Sequence, residues 1–92
     1  MKKVHEVTII RTDEFYLYIN VDNQLYGISW PKCSQALDRA TQGERAFIQI
    51  SPSGYGLHWP LIDEDLAIDP LLKIAEKLET LPIGVSELLV SV

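Results

Sequence analysis

One six-residue phrase occurs twice in this chain, and it limits the fold more than any other feature. Tyr26-Gly27-Ile28-Ser29-Trp30-Pro31 is matched 29 residues later by Tyr55-Gly56-Leu57-His58-Trp59-Pro60. The match extends backwards, pairing Tyr18 with Phe47, Ile19 with Ile48, Asn20 with Gln49 and Val21 with Ile50. Each copy reads as strand, turn, strand and Trp-Pro, with a helix soon after. Strand side chains alternate, so Tyr, Ile or Leu, and Trp share one face, and Gly with Ser or His the other. The copies are either a duplicated hairpin or two ordinary hairpins alike by chance. Two units are too few for a solenoid, so both readings predict one small α+β domain.

The rest of the chain fits around these hairpins. Val4 to Ile10 is predicted as a strand, followed by a polar break at Thr12-Asp13-Glu14. Phe15 to Val21 and Gln24 to Trp30 are predicted strands joined at Asp22-Asn23, two residues that tolerate positive φ. Pro31 opens a short helix over 32–40, with Gly43 as its stop. Ala46 to Ile50 and Tyr55 to Trp59 are the fourth and fifth strands, and 61–68 reads as a loop. Asp69-Pro70 reads as a helix start, with an apolar stripe of Leu71, Leu72, Ile74, Ala75, Leu78 and Leu81 ending at Pro82. The expected architecture is α+β: about five antiparallel strands in two similar hairpins, with two short helices, over residues 1–82. The apolar tail 83–92 is an extra strand or an oligomer contact.

Composition narrows the class. At 92 residues the chain has room for one modest core. It is 47% hydrophobic and 23% charged, which argues against disorder. The lone Cys33 excludes an internal disulfide and a multi-cysteine zinc site, and it fits a reducing, cytoplasmic setting. No apolar run is long enough for a membrane helix, and no apolar signal core follows the first lysines. The net charge is -5, all of it in the last third: residues 1–60 balance, while seven acids and two bases follow residue 60. An acidic domain is repelled by phosphate backbones, so no direct nucleic-acid partner is expected. An acidic face is either solvated or a docking surface for a basic protein.

The residues that could carry chemistry cluster between Ser53 and Leu66. His58 lies opposite the Tyr55/Leu57/Trp59 face, where it could serve as a base or a ligand. With Asp63 or Asp65 it could make a mixed nitrogen–oxygen metal site, although three adjacent acids cannot all turn to one ion. Cys33 and Ser34 have no base near them in sequence and no nucleophile elbow, so a Cys33–His58–Asp63 hydrolase is weakly motivated. No catalytic residue, resident metal or cofactor is expected. Each Trp-Pro reads as a core corner, or, for Trp59 beside Asp63-Glu64-Asp65, as an exposed anchor with a charged rim.

Gly54-Tyr55-Gly56-Leu57-His58-Trp59-Pro60-Leu61-Ile62-Asp63-Glu64-Asp65-Leu66, followed by Leu71-Leu72, resembles the signature of the bacterial domain-of-unknown-function family 2442. Ala40-Thr41-Gln42-Gly43-Glu44-Arg45 and Ile28 to Pro31 also fit, so the resemblance covers roughly residues 4–72. It implies a small α+β domain with no assigned reaction. Some members continue into a helix-turn-helix domain; others stand alone beside genes for small partner proteins, as toxin–antitoxin pairs do. Here 20 residues follow Leu72, too few for a helix-turn-helix domain. Leu61 departs from the polar residue common at that position.

These readings converge on a non-enzymatic protein-interaction module, the antitoxin-like or regulatory member of a two-gene pair. Its expected partner is a small basic protein, bound through Tyr55, His58, Trp59, Asp63, Glu64 and Asp65. A homo-oligomer, most simply a two-fold dimer, fits the small core and apolar tail. The alternative is a small-ligand or metal-sensing domain using His58 and the acidic loop.

Overall fold

The computed structural model describes residues 3–82. Two antiparallel sheets face a shared core. The first has strand order β1-β2-β3-β7, from β1 (Val7–Thr12), β2 (Tyr16–Val21), β3 (Gln24–Ser29) and β7 (Glu76–Leu78). The second has order β4-β5-β6, from β4 (Gln49–Ile50), β5 (Gly56–Trp59) and β6 (Glu64–Ala67). Four short helices connect them: α1 (Trp30–Cys33), α2 (Gln35–Asp38), α3 (Gln42–Ala46) and α4 (Ile68–Ile74). The α+β class holds, with seven strands where five were expected. The expected tail 83–92 lies outside the described residues.

The β2–β3 hairpin turns at Asp22 and Asn23, with φ of 52° and 69°, the left-handed pair that a two-residue hairpin turn needs. The second repeat lands in the second sheet, pairing Gln49 with His58 and Ile50 with Leu57. Leu17, Ile19, Val21 and Ile28 from one sheet meet Leu57 and Trp59 from the other, and Trp30, Leu37, Ile68 and Leu71 close the gap. Trp30 and Trp59 are 1% and 0% exposed, and each indole N–H finds a carbonyl, of Asp13 at 2.9 Å and of Arg45 at 3.0 Å. Both Trp-Pro phrases are therefore core corners. The repeat fails at its first position, where Tyr26 is 9% exposed and Tyr55 61%.

Five local expectations are overturned. The helix expected over 32–40 breaks at Ser34, whose extended backbone ends α1 and whose Oγ accepts the Leu37 N–H to cap α2. Gly43 does not stop a helix; it sits inside α3, which Thr41 and Glu44 open with a reciprocal capping box. The expected loop 61–68 contains β6, because a turn through Asp63 at φ 51° sends the acidic run back along β5. The long helix expected to run from Asp69 to Leu81 ends at Ile74. The free edge of β3 then takes Glu76–Leu78 as β7, with Leu25 opposite Leu78 and Gly27 opposite Glu76. Its apolar stripe misled because Ile74 lies 45% exposed while Leu78 packs on the strand edge at Gly27. Ala67, not Asp69, holds the cap position of α4, with no side-chain bond, and the Asp69 carboxylate is engaged elsewhere.

Candidate functional site

Residues 46–72 carry four acids and no base, so the second sheet is the acidic part of the described molecule. Its outer face is set by register. His58 pairs with Asp65 across β5 and β6 and with Gln49 across β5 and β4, so these three side chains form one row. Gly56 pairs with Ala67 one step along the same face, and their small side chains leave a depression. Ile50, Pro52, Tyr55, His58 and Asp65 line the groove there, of about 380 Å³. Leu66, opposite Leu57, turns to the core, whereas Ile50 and Tyr55 are exposed.

His58 Nδ1 lies 2.8 Å from Asp65 Oδ1. Among the described residues, ligand atoms of His58, Asp63 and Asp65 come within 4.8 Å of one another. That set of one imidazole and two carboxylates suits a borderline or hard divalent cation. Glu64 does not join it. It is opposite Trp59 in register, which turns it toward the other face of β6, where it is half-buried.

The site residues expected from sequence thus divide. Tyr55, His58 and Asp65 line the groove, and Asp63 stands beside His58 and Asp65. Glu64 faces away, and Trp59 is wholly buried, so it cannot be the exposed anchor that one reading required. Cys33 is buried 8% exposed, and burial pushes its thiol up to about 12, partly offset by the Arg45 charge. A thiol so placed stays protonated and is a weak nucleophile at neutral pH.

Two polar anchors outside the groove were not legible as chemistry in the sequence. Arg45 is buried at 8% exposure, and it spends its guanidinium on three carbonyls: Leu37 at 2.8 Å, Asp38 at 2.8 Å and Glu14 at 3.1 Å. It also lies 5.1 Å over the Trp30 ring. His5 packs between carboxylates of Asp22 and Asp69, and its backbone lies on the Ser51–Tyr55 turn that walls the groove. The only signal for Arg45 was a lone basic residue just after a Thr-x-x-Glu box.

A wider depression of about 660 Å³ lies between β2–β3 residues such as Asn20 and Asn23 and the segment 78–81. Its one charged residue is Glu79, and it has no imidazole or thiol, so the outer groove of the second sheet is the better site.

Fold and groove together define a small two-sheet α+β domain with an acidic, partly apolar outer face. The family model described as protein of unknown function (DUF2442) matches residues 5–77, and the chain belongs to that family. No curated protein and no solved structure matches the chain. Among the described residues, no helix is long and apolar enough to cross a membrane.

Proposed function

We propose that this chain is a non-enzymatic interaction module whose second sheet receives a basic segment of a small protein partner. The observation that carries the reading is the outer groove. It is lined by Ile50, Pro52 and Tyr55 together with Asp65, and Asp63 stands beside Asp65, in a stretch of chain without lysine or arginine. A side chain with an apolar stem and a cationic head, as in lysine or arginine, complements both halves. A second copy of this chain is a poor occupant, because its own acidic face would meet like charge. The reading extends to a cytoplasmic regulatory member of a two-gene pair and to a homodimer formed elsewhere on the molecule.

Affinity capture from the native host, read by mass spectrometry, tests it. Wild type should retain one small basic protein, and the folded Asp63→Lys/Glu64→Lys/Asp65→Lys variant should lose it. If wild type brings down only itself, or the variant retains the partner, the reading fails.

A second reading is favoured by one observation, the convergence of His58, Asp63 and Asp65 ligand atoms within 4.8 Å. On it, the outer face senses a divalent cation. Calorimetric titration with zinc or manganese should then show one site per chain, absent from His58→Ala. No heat with either metal would end this reading.

A further inference from the structure

Three segments distant in sequence converge on His5. Its Nδ1 lies 2.7 Å from Asp22 Oδ2 in the β2–β3 turn, and its Nε2 lies 2.7 Å from Asp69 Oδ1 in the first turn of α4. A carboxylate can only accept, and a neutral imidazole carries one N–H. Both bonds exist together only on the imidazolium, and their lengths are those of charge-assisted bonds. The hydrogen bonds to Asp22 and then Asp69 raise the His5 pKa above its ordinary 6.5, against a smaller opposing effect of burial.

The segment around His5 is also tied to the groove. Ser53 carbonyl accepts the Val4 N–H at 2.7 Å and the His5 N–H at 3.3 Å. The His5 carbonyl sits where a side chain on Gly54 would begin, 1.9 Å from an ideal Cβ. Ser51 Oγ accepts the Tyr55 N–H at 2.9 Å and the Gly56 N–H at 3.0 Å, so the turn is bonded to the start of β5. Tyr55 carbonyl in turn accepts the N–H of Ile68, the residue that precedes Asp69. The ring of His5 thus ties the β2–β3 turn to α4, and its backbone holds the Ser51–Tyr55 turn.

We propose that His5 is a protonation-controlled clasp: the imidazolium pins residues 3–6 across the Ser51–Tyr55 turn, and its deprotonation releases that turn and reshapes the outer groove. The charged groups around it are few. Lys3 and Glu6 on its own segment pair with each other at 3.1 Å, Asp22 faces it from the hairpin turn, Asp69 from α4, and the Ser51–Tyr55 turn meets it through backbone. The neutral ring can keep one carboxylate but must lose the other. The clasp stands on His5 geometry alone; its meaning as regulation rests on the groove being the binding site.

The test is a pH titration by amide and imidazole NMR in the His58→Gln background, which leaves His5 as the single imidazole of the chain. The ring should titrate above 6.5. The amides of Ser53, Gly54 and Tyr55 should shift with the same midpoint, followed by those of Gln49 and Ala67 across the groove. Asp69→Asn should lower the midpoint and shrink the shifts at the turn. A midpoint at or below 6.5, or turn amides that stay still while the ring titrates, would overturn the clasp. Still groove amides beside moving turn amides would overturn its control of the groove. No partner enters the experiment, so a failed capture of the basic protein and a failed clasp are separate results.

Discussion

The carbonyl of Arg45 accepts the Trp59 indole N–H at 3.0 Å, so the backbone and the guanidinium of one residue hold both repeat tryptophans. The side chain stacks on Trp30 while the main chain fixes Trp59. Arg45 thereby joins the corner of the first hairpin to that of the second, through the helices between them.

Removing that side chain should be costly. Arg45→Ala would take the side-chain donor from the carbonyls of Asp38 and Glu14, leave Leu37 only its Ala40 N–H, and strip the Trp30 face. We expect a loss of about 3 kcal/mol, from roughly 1–3 kcal/mol per buried unsatisfied group with partial rescue by water. Arg45→Lys should recover little, because a point charge cannot reach three separate carbonyls in a fork. Urea unfolding followed by tryptophan fluorescence measures both. A change under about 1 kcal/mol for Arg45→Ala would show that the fork is dispensable.

Stability should depend on pH through His5 and Asp22. The folded pKa of His5 is raised, so its contribution is complete below the unfolded value of 6.5 and is lost as pH rises through the folded value. Asp22 is lowered from 3.8, first by the Glu6 N–H and then by His5, so its contribution is present above 3.8 and lost as pH falls through the depressed value. The two signs leave a plateau between 3.8 and 6.5, with losses on both sides. His5→Gln should abolish the fall on the alkaline side. Denaturant midpoints measured from below pH 3.8 to well above pH 6.5 check it; an unchanged alkaline limb in His5→Gln would contradict it.

Two glycines should respond to alanine with opposite sign. Gly54 has φ of 73°, and an added Cβ would begin 1.9 Å from the His5 carbonyl. Gly54→Ala should cost at least about 1–3 kcal/mol in backbone strain alone, since the strap must also be displaced. Gly43 lies inside α3 with nothing within 4 Å of its added Cβ, so Gly43→Ala should stabilise by about 0.5–1 kcal/mol. Paired thermal melts decide the matter, and equal shifts would contradict the placement of Gly54 in its turn and Gly43 in α3.

Cys33 should resist thiol reagents in the folded protein, because burial pushes its pKa to about 12. Labelling at mildly alkaline pH should speed up only as denaturant unfolds the chain. Rapid labelling of the native protein would mean that the α1 corner opens readily.

What could be read in advance was local. Runs of β-branched and aromatic residues marked β2, β3 and β5 and Asp22-Asn23 marked the hairpin turn, whereas β1 runs on through Thr12 and the strand expected over Ala46–Ile50 shrinks to Gln49–Ile50, with Ala46 in α3. Asp63-Glu64-Asp65 looked like a solvated loop, yet strand pairing with β5 overrides its composition. Glu76–Leu78 carried a helical stripe, and the open edge of β3 decided otherwise. Thr41-Gln42-Gly43-Glu44 held a legible capping box, hidden by treating Gly43 as a stop. In the site, period-two alternation placed His58 opposite Trp59, and the chain reversal at Asp63 then brought Asp65 beside it. The link of His5 to Asp69 joins residues 64 positions apart, and no local pattern announces such a contact.

The central claim is that the outer face of β4–β5–β6 is a docking surface for a basic partner. Its most direct measurement is an amide-shift map of the labelled chain with the captured partner added. The account expects the largest changes at Gln49, Tyr55, His58 and Asp65, weakening as salt is raised. Changes centred on the outer face of the first sheet, around Tyr16 and Glu76, or binding indifferent to Asp63→Lys/Asp65→Lys, would contradict it.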